Sequence, residues 1–287
     1  MNIIEKTIHS FDRFQQRHAL PGFAVAVIKK YGDDQAGYQA ALLTYYAFLS
    51  LFPLLLILTT LTGLLATGQP HLQQTIIRGV TNYFPVLGNQ LSDHVHTLHR
   101  SGLALVVGFL FLLYGARGIA DAFRNGVNTV WDVPRKQRDG FPKSLIKSLA
   151  LLLVGGTGFL LASISAGLAS SAGHGLAIRL LSVLINIFIL FWLFSFLINM
   201  SLPRHVLLKD TEVGALVAAL GLVTLQLLGS YILSRTLKNL DALYSYFALA
   251  LGLLFWIYLQ AQVLYYAMEI ATVRARKLWP RSLTSND

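Results

Sequence analysis

Cysteine is absent from the chain. Disulfides and thiolate metal sites are therefore excluded. Charge is scarce as well: 13% of residues are Asp, Glu, Lys or Arg, against roughly 25% in an ordinary soluble domain. A soluble fold this poor in charge would expose large apolar patches and aggregate. No histidine falls well inside a long apolar run, and no Ser/His/Asp set, Gly-rich phosphate loop or paired carboxylates can be found. An intramembrane hydrolase needs an activated nucleophile or a metal inside its spans, so the chain reads as a non-enzyme that needs no cofactor. The opening MNIIEKTIHSFDRFQQRH is charged throughout and lacks the apolar core of a cleavable signal peptide.

What the chain does have is apolar length. Mean hydropathy is +0.58, and long apolar runs alternate with short charged ones. A spanning helix needs about 20 mainly apolar residues to cross roughly 30 Å of hydrocarbon. Six such runs lie near 42–66, 101–120, 145–170, 177–200, 213–234 and 242–271. The expected fold is all-α, a polytopic membrane bundle of six transmembrane helices forming one membrane domain over 1–287.

The net charge of +10 tempts a nucleic-acid reading, but the cations sit in loops. Lys6, Arg13, Arg17, Lys29 and Lys30 precede the first run, and Arg124, Arg135, Lys136, Arg138 and Lys143 fall at the second connection. Arg204 and Lys209 fall at the fourth connection, and Arg274, Arg276, Lys277 and Arg281 in the tail. The other connections hold only Arg78, Arg100, Arg235 and Lys238. By the positive-inside rule both termini are cytoplasmic. Anionic headgroups are the natural neighbours of these cations. Base-reading groups on a soluble basic surface are missing, so nucleic acid is not a partner.

The segment 1–34 places Ile4, Ile8, Phe11 and Phe14 at helical spacing. It reads as a cytoplasmic amphipathic helix, on the membrane surface or packed beneath the bundle. The segment 67–100 shows two weakly amphipathic stretches around Pro85 and predicts a helical cap on the outer side. It carries Asp93, His94, His96 and His99; His96 and His99 share a helical face, but solvated outer residues are the better reading than a metal site. Residues 272–287 form a basic cytoplasmic tail. In the third run Gly158, Ala162 and Ala166 recur every four residues, which permits close approach of a neighbouring helix. Gly155 and Gly156 either serve the same packing or unwind the helix locally.

Polar groups inside spans are costly and usually face the protein interior or a wet cavity. In the first run Tyr45, Tyr46 and Ser50 cluster within about a turn. Pro53 removes the helical partner of the Leu49 carbonyl, which predicts a kink. In the second run Arg117, Asp121, Arg124, Asn125 and Asn128 form a stripe at i, i+3/i+4 spacing. In the last, Tyr258, Gln262, Tyr265 and Glu269 follow i, i+4, i+7, i+11. Gln226 with Ser230 in the fifth run, and Asn186 in the fourth, complete the candidate interior. The plainer readings are a packing kink, snorkelling, headgroup contact and bonds between helices.

At three blocks the chain resembles the YihY/virulence factor BrkB family of bacterial inner-membrane proteins. They are AALLTYYAFLSLFPLLLIL at 40–58, GIADAFRNGVNTVWDVPRKQRDGFP at 118–142, and LPRHVLLKDTEVGALVAAL together with SYFALALGLLFWIYLQAQVLYYAMEI. One departure is Ala267-Met268-Glu269, where the family commonly carries Gly-Ala-Glu. The resemblance implies six spans and an inner-membrane address. It also implies a role in envelope resistance or export; the ribonuclease label attached to the family finds no support in these residues.

The reading that leads is outward transport: a polar, cytoplasm-facing cavity lined by the residues above would pass a small anionic or amphipathic, lipid-like solute. Arg117 and Arg124 would suit an anion, and Glu269 or the Arg117/Asp121 pair could couple to protons. The alternative is a non-transporting cell-envelope scaffold or assembly factor whose polar stripes bind helices together. Membrane lipids are the expected partners in either case, and a homo-oligomer is open.

Overall fold

A computed structural model describes Gln15 and residues 18–65, 102–170, 176–203, 206–236 and 242–281. The expected outer cap at 67–100, its histidines and the hydrophobic face of Ile4, Ile8, Phe11 and Phe14 lie outside the described residues. The described part is helical throughout. In chain order come α1 (Ala19–Asp33), α2 (Ala36–Leu65), α3 (Gly102–Val130), a 3-10 turn at Arg135–Gln137, α4 (Lys143–Ser170), α5 (Leu176–Ser201), α6 (Leu208–Thr236) and α7 (Ala242–Ala275).

Among the described residues, four stretches are long and apolar enough to cross a membrane: Lys143–Ala166, Leu176–Ser201, Leu208–Gly229 and Ala250–Ala275. The helices α2 and α3 occupy the positions of the first two expected runs. Helix α5 shows why this bundle suits lipid. One side buries Ser182, Asn186, Leu190, Leu193 and Leu197, while the other exposes Leu184, Phe188, Trp192 and Phe196. A water-soluble helix carries charge on its outer face; this one carries large apolar groups.

The helices form a closed ring. Each of α2 to α6 packs on the next, and α7 returns to pack on α2. Helix α1 lies against α7 and α2. Between the helices runs one apolar cluster that includes Phe123, Val127, Leu190, Phe194, Ile198, Leu222, Leu264 and Met268.

Small residues set the helix spacing, as expected where lipid tails offer no hydrophobic drive to association. The predicted stripe on α4 lies at its contact with α5: Ala162 and Ala166 are buried, and Gly158 leaves room only for the Leu193 side chain. The helix runs unbroken through Gly155 and Gly156. At Gly214 a Cβ would stand 3.0 Å from the Ala267 carbonyl oxygen and 2.9 Å from the Ala271 Cβ, so α6 rests almost on the α7 backbone. The departure from Gly-Ala-Glu at Ala267 is therefore accommodated from the opposite side, by the glycine of α6.

Candidate functional site

The ends of α1, α3 and α7 meet at one buried lysine. Lys30 is 2% exposed. Its ammonium donates to the Asp34 carboxylate one turn on and to the Val130 carbonyl at 2.9 Å. It also stands 3.5 Å from Asp132 and 3.6 Å from Glu269. One side chain thus ties α1 to the C-terminal end of α3 and to the body of α7. The arrangement follows from helix chemistry: the last carbonyls of a helix have no internal partner and attract cations. Lys30 takes the Val130 carbonyl, and Arg276, just past α7, takes the Trp131 carbonyl.

Both helix ends use the same stop. Asp132 after α3 has φ 47° and Lys277 after α7 has φ 53°. In each, a long bond closes the last turn, from Val133 N–H to the Asn128 carbonyl at 2.8 Å and from Leu278 N–H to the Val273 carbonyl at 3.0 Å. Glycine is the residue that takes this left-handed position without strain. Asp132 instead brings a carboxylate, which accepts from Arg276 at 2.7 Å.

Glu269 is the innermost member and is 0% exposed. No N–H or hydroxyl donates to either of its oxygens among the described residues. The group set against it is the Asp34 carboxyl. Two carboxyls can hydrogen-bond only when one carries a proton. Burial pushes the Asp34 carboxyl above the ordinary range, opposed by the hydrogen bond and charge of Lys30.

Beside this cluster, Tyr31 stacks on Tyr266 with ring centroids 4.0 Å apart and donates to Gln262. Burial, helped by the neighbouring Tyr258 and Tyr266, pushes the Tyr31 phenol up to about 12. Tyr31, Gln35, Tyr38 and Tyr258 line an open groove of about 410 Å³ at the turn between α1 and α2.

The expected cavity residues do not converge on one cavity among the described residues. Tyr258, Gln262 and Glu269 share the α1–α7 region just described. Asp121, Arg124 and Asn128 form a second group between α3 and α4. Arg124 Nη1 donates to the Ser144 carbonyl at 2.8 Å, to the Ser144 hydroxyl at 2.8 Å and to the Ser148 hydroxyl at 3.0 Å. Ser148 donates to Asp121 at 2.6 Å, and Asn128 reaches the Ser201 carbonyl on α5 at 3.2 Å. Arg117 and Asn125, from the same sequence stripe, are exposed; Arg117 stands 3.6 Å from Asp121. The stripe splits because the buried arc of α3 is narrower than the i, i+3/i+4 row. Gln226 forms a third group, accepting from Asn186 at 3.2 Å across α5 and α6.

In the first run Tyr45 is 58% exposed and faces away from these groups. Tyr46 is half-buried on Gly118 of α3. Ser50 is buried but donates to its own helix, at the Tyr46 carbonyl. Helix α2 continues past position 53; the Pro53 side chain, like that of Ser230, lies outside the described residues. Sequence reasoning missed Tyr31, Asp34 and Asp132, and treated Lys30 and Arg276 only as topology charges.

The family model described as virulence factor BrkB matches residues 27–285, so it takes in Lys30, Asp132 and Glu269. The chain belongs to the BrkB family. Among BrkB relatives, inner membrane protein YhjD of Escherichia coli (strain K12) is 26% identical over 280 residues, covering 90% of this chain and 82% of that protein. A UPF0761 membrane protein of Chromohalobacter salexigens is 27% identical over 259 residues, covering 85% of this chain and 61% of its own length. One from a Psychrobacter species is 24% identical over 269 residues, covering 88% of this chain and 48% of its own length. The chain spans about half to three-fifths of those last two proteins. No solved structure matches it. This BrkB chain is an integral membrane protein.

Proposed function

We propose that this BrkB chain is a six-span transport protein of the bacterial inner membrane, with both termini cytoplasmic. Its cargo is a small anionic or amphipathic, lipid-like solute, moved outward. The observation that carries this reading is the Lys30–Glu269 pair. Ionisable groups in a spanning helix are costly and rarely kept without a functional use, and Glu269 is the one carboxylate buried inside α7. A helix needing only packing would carry an apolar residue there. In this reading the apolar filling between the helices belongs to an occluded state. Lys30 bridges the elements that must part for the cytoplasmic side to open.

The second reading, a cell-envelope scaffold or assembly factor without transport, draws on that same filling. It also draws on the Asn186–Gln226 and Arg124–Ser148 bonds, which join neighbouring helices. Flux across reconstituted vesicles decides between them, measured in both directions against a panel of anionic metabolites and amphipathic lipids. Transport predicts flux in the wild-type chain and its loss in Glu269→Gln at equal protein content. A wild-type chain that moves nothing on the panel, with Glu269→Gln merely lowering abundance, would leave the scaffold reading.

A further inference from the structure

We propose that the Lys30 cluster is an exchange site for a single proton, held at Glu269 and entered through Asp34. The argument begins with charge. Three carboxylates, Asp34, Asp132 and Glu269, meet two cations, Lys30 and Arg276. Among the described residues, one negative charge is left without a counter-ion.

The geometry assigns that charge. Asp34 bonds Lys30 directly, and Asp132 bonds Arg276 at 2.7 Å. Among the described residues, Glu269 has only the Lys30 ammonium at 3.6 Å, already committed to Asp34 and to the Val130 carbonyl. Both Glu269 oxygens are sealed from solvent and accept no hydrogen bond from an N–H or hydroxyl. An uncompensated charge in such a place is neutralised most cheaply by a proton.

The same geometry supplies the route. Side-chain exposure rises from Glu269 at 0% to Asp34 at 12% and Asp132 at 50%. Asp34 is intermediate in exposure and set against the sealed carboxyl, on the turn that rims the Tyr31 groove. The proton passes from water to Asp34 and on to Glu269, and leaves by the reverse path; no other bond changes. The charged and titratable groups facing Glu269 are Lys30, Tyr31 and Asp34 from the α1 segment and Asp132 beyond α3, with Arg276 behind Asp132. Helices α2 and α6, also packed on α7, add no ion pair to it among the described residues.

When Glu269 ionises, the pull on Lys30 is shared three ways; when it is protonated, Lys30 answers to Asp34 and Asp132 alone. Proton occupancy thus sets how firmly α1 is held to α7. Use of this site to drive cargo rests on the transport reading, whereas the proton exchange does not.

The test is infrared difference spectroscopy on the purified full chain in lipid nanodiscs, taken from about pH 5 to about pH 9, a range beginning just above ordinary carboxyl values. The expected result is a protonated-carboxyl band that disappears as pH rises and is missing from Glu269→Gln. Asp34→Asn leaves two carboxylates facing the two cations, so the band should vanish at lower pH than in the wild type. Where it remains, its exchange with deuterium slows by about a hundredfold, the low end of what a positioned proton-transfer group supplies. Lys30→Met removes one cation, so a second carboxyl takes a proton and the band roughly doubles; this arm decides the matter if Glu269→Gln does not fold. A wild-type chain without the band, a band surviving in Glu269→Gln, or an unchanged band in Lys30→Met overturns the proposal. So does a band erased by sodium at constant pH, which would make the site one for a metal cation. Loss of the band in Glu269→Gln without loss of flux would retain the proton site and remove only its coupling to transport.

Discussion

Removing the Lys30 ammonium is the sharpest perturbation the structure offers. Lys30→Met keeps the length of the side chain and deletes its charge. Breaking a buried ion pair by removing one partner costs roughly 3–5 kcal/mol, because the other charge stays behind. Two hydrogen bonds go as well, to Asp34 and to the Val130 carbonyl, and bonds to charged groups contribute about 1.5–3 kcal/mol each. These contributions overlap, so the expected loss is about 5 kcal/mol, the upper end of the ion-pair range. Reversible unfolding by sodium dodecyl sulfate in mixed micelles, followed by tryptophan fluorescence, measures it. A second change tests the cause. At about pH 9, where the protonated-carboxyl band has gone and Glu269 is ionised, Glu269→Leu in the Lys30→Met background removes the stranded carboxylate, and an apolar replacement of a buried pair is often neutral or better. The double variant should therefore recover about 2 kcal/mol or more relative to the sum of the single losses, within the range seen for coupled neighbours. If the two losses add to within about 0.5 kcal/mol, as independent sites do, the pair is not coupled and the reasoning fails. The Lys30→Met penalty should also shrink in acid, where a protonated Glu269 needs no counter-ion.

Other outcomes follow from the packing and the polar bonds. Gly214→Ala drives a methyl toward the Ala267 backbone and should cost about 1–3 kcal/mol as overpacking. Gly158→Ala meets only Leu193 side-chain carbons, which can turn aside, so it should cost less in the same unfolding assay. All the Arg124 donations come from one nitrogen, so a lysine ammonium can replace part of them, and Arg124→Lys should destabilise less than Arg124→Met; equal losses in the two variants would refute that. The Tyr31 phenol, raised from the ordinary 10 to about 12, contributes stability that is whole below pH ~10 and lost as pH rises through ~12. Tyr31→Phe should abolish that portion of the alkaline transition, read by the ultraviolet absorbance of ionised tyrosine.

Much of the fold could be read from hydropathy. Each of the six apolar runs falls on a helix, and four of those helices hold a stretch long and apolar enough to lie in hydrocarbon. The stripe of Gly158, Ala162 and Ala166 announced its close contact because small residues at four-residue spacing have few other uses. The site was only half legible. Glu269 stood out as a lone acid in an apolar run, but its partner did not. Lys30 looks like every other basic residue beside a span, and nothing local separates a cation that faces headgroups from one folded inward. Asp132 was hidden for a different reason: its role depends on a left-handed turn that sequence normally signals with glycine. The Arg117-to-Asn128 stripe misled in the opposite sense. Spacing shows which residues share a helix face, but the width of the buried arc is set by neighbouring helices.

The ring closes between distant parts of the chain. Tyr31 and Gln262 lie 231 positions apart, and α7, which seals the circle against α2, is made after the other helices of the ring. Until it arrives, α2 has one flank open. Lys30 then has Asp34 and the Val130 carbonyl but not Glu269. Closure of the ring is thereby written into a single charge: a fold with α7 misplaced leaves that lysine short of the helix that finishes its burial.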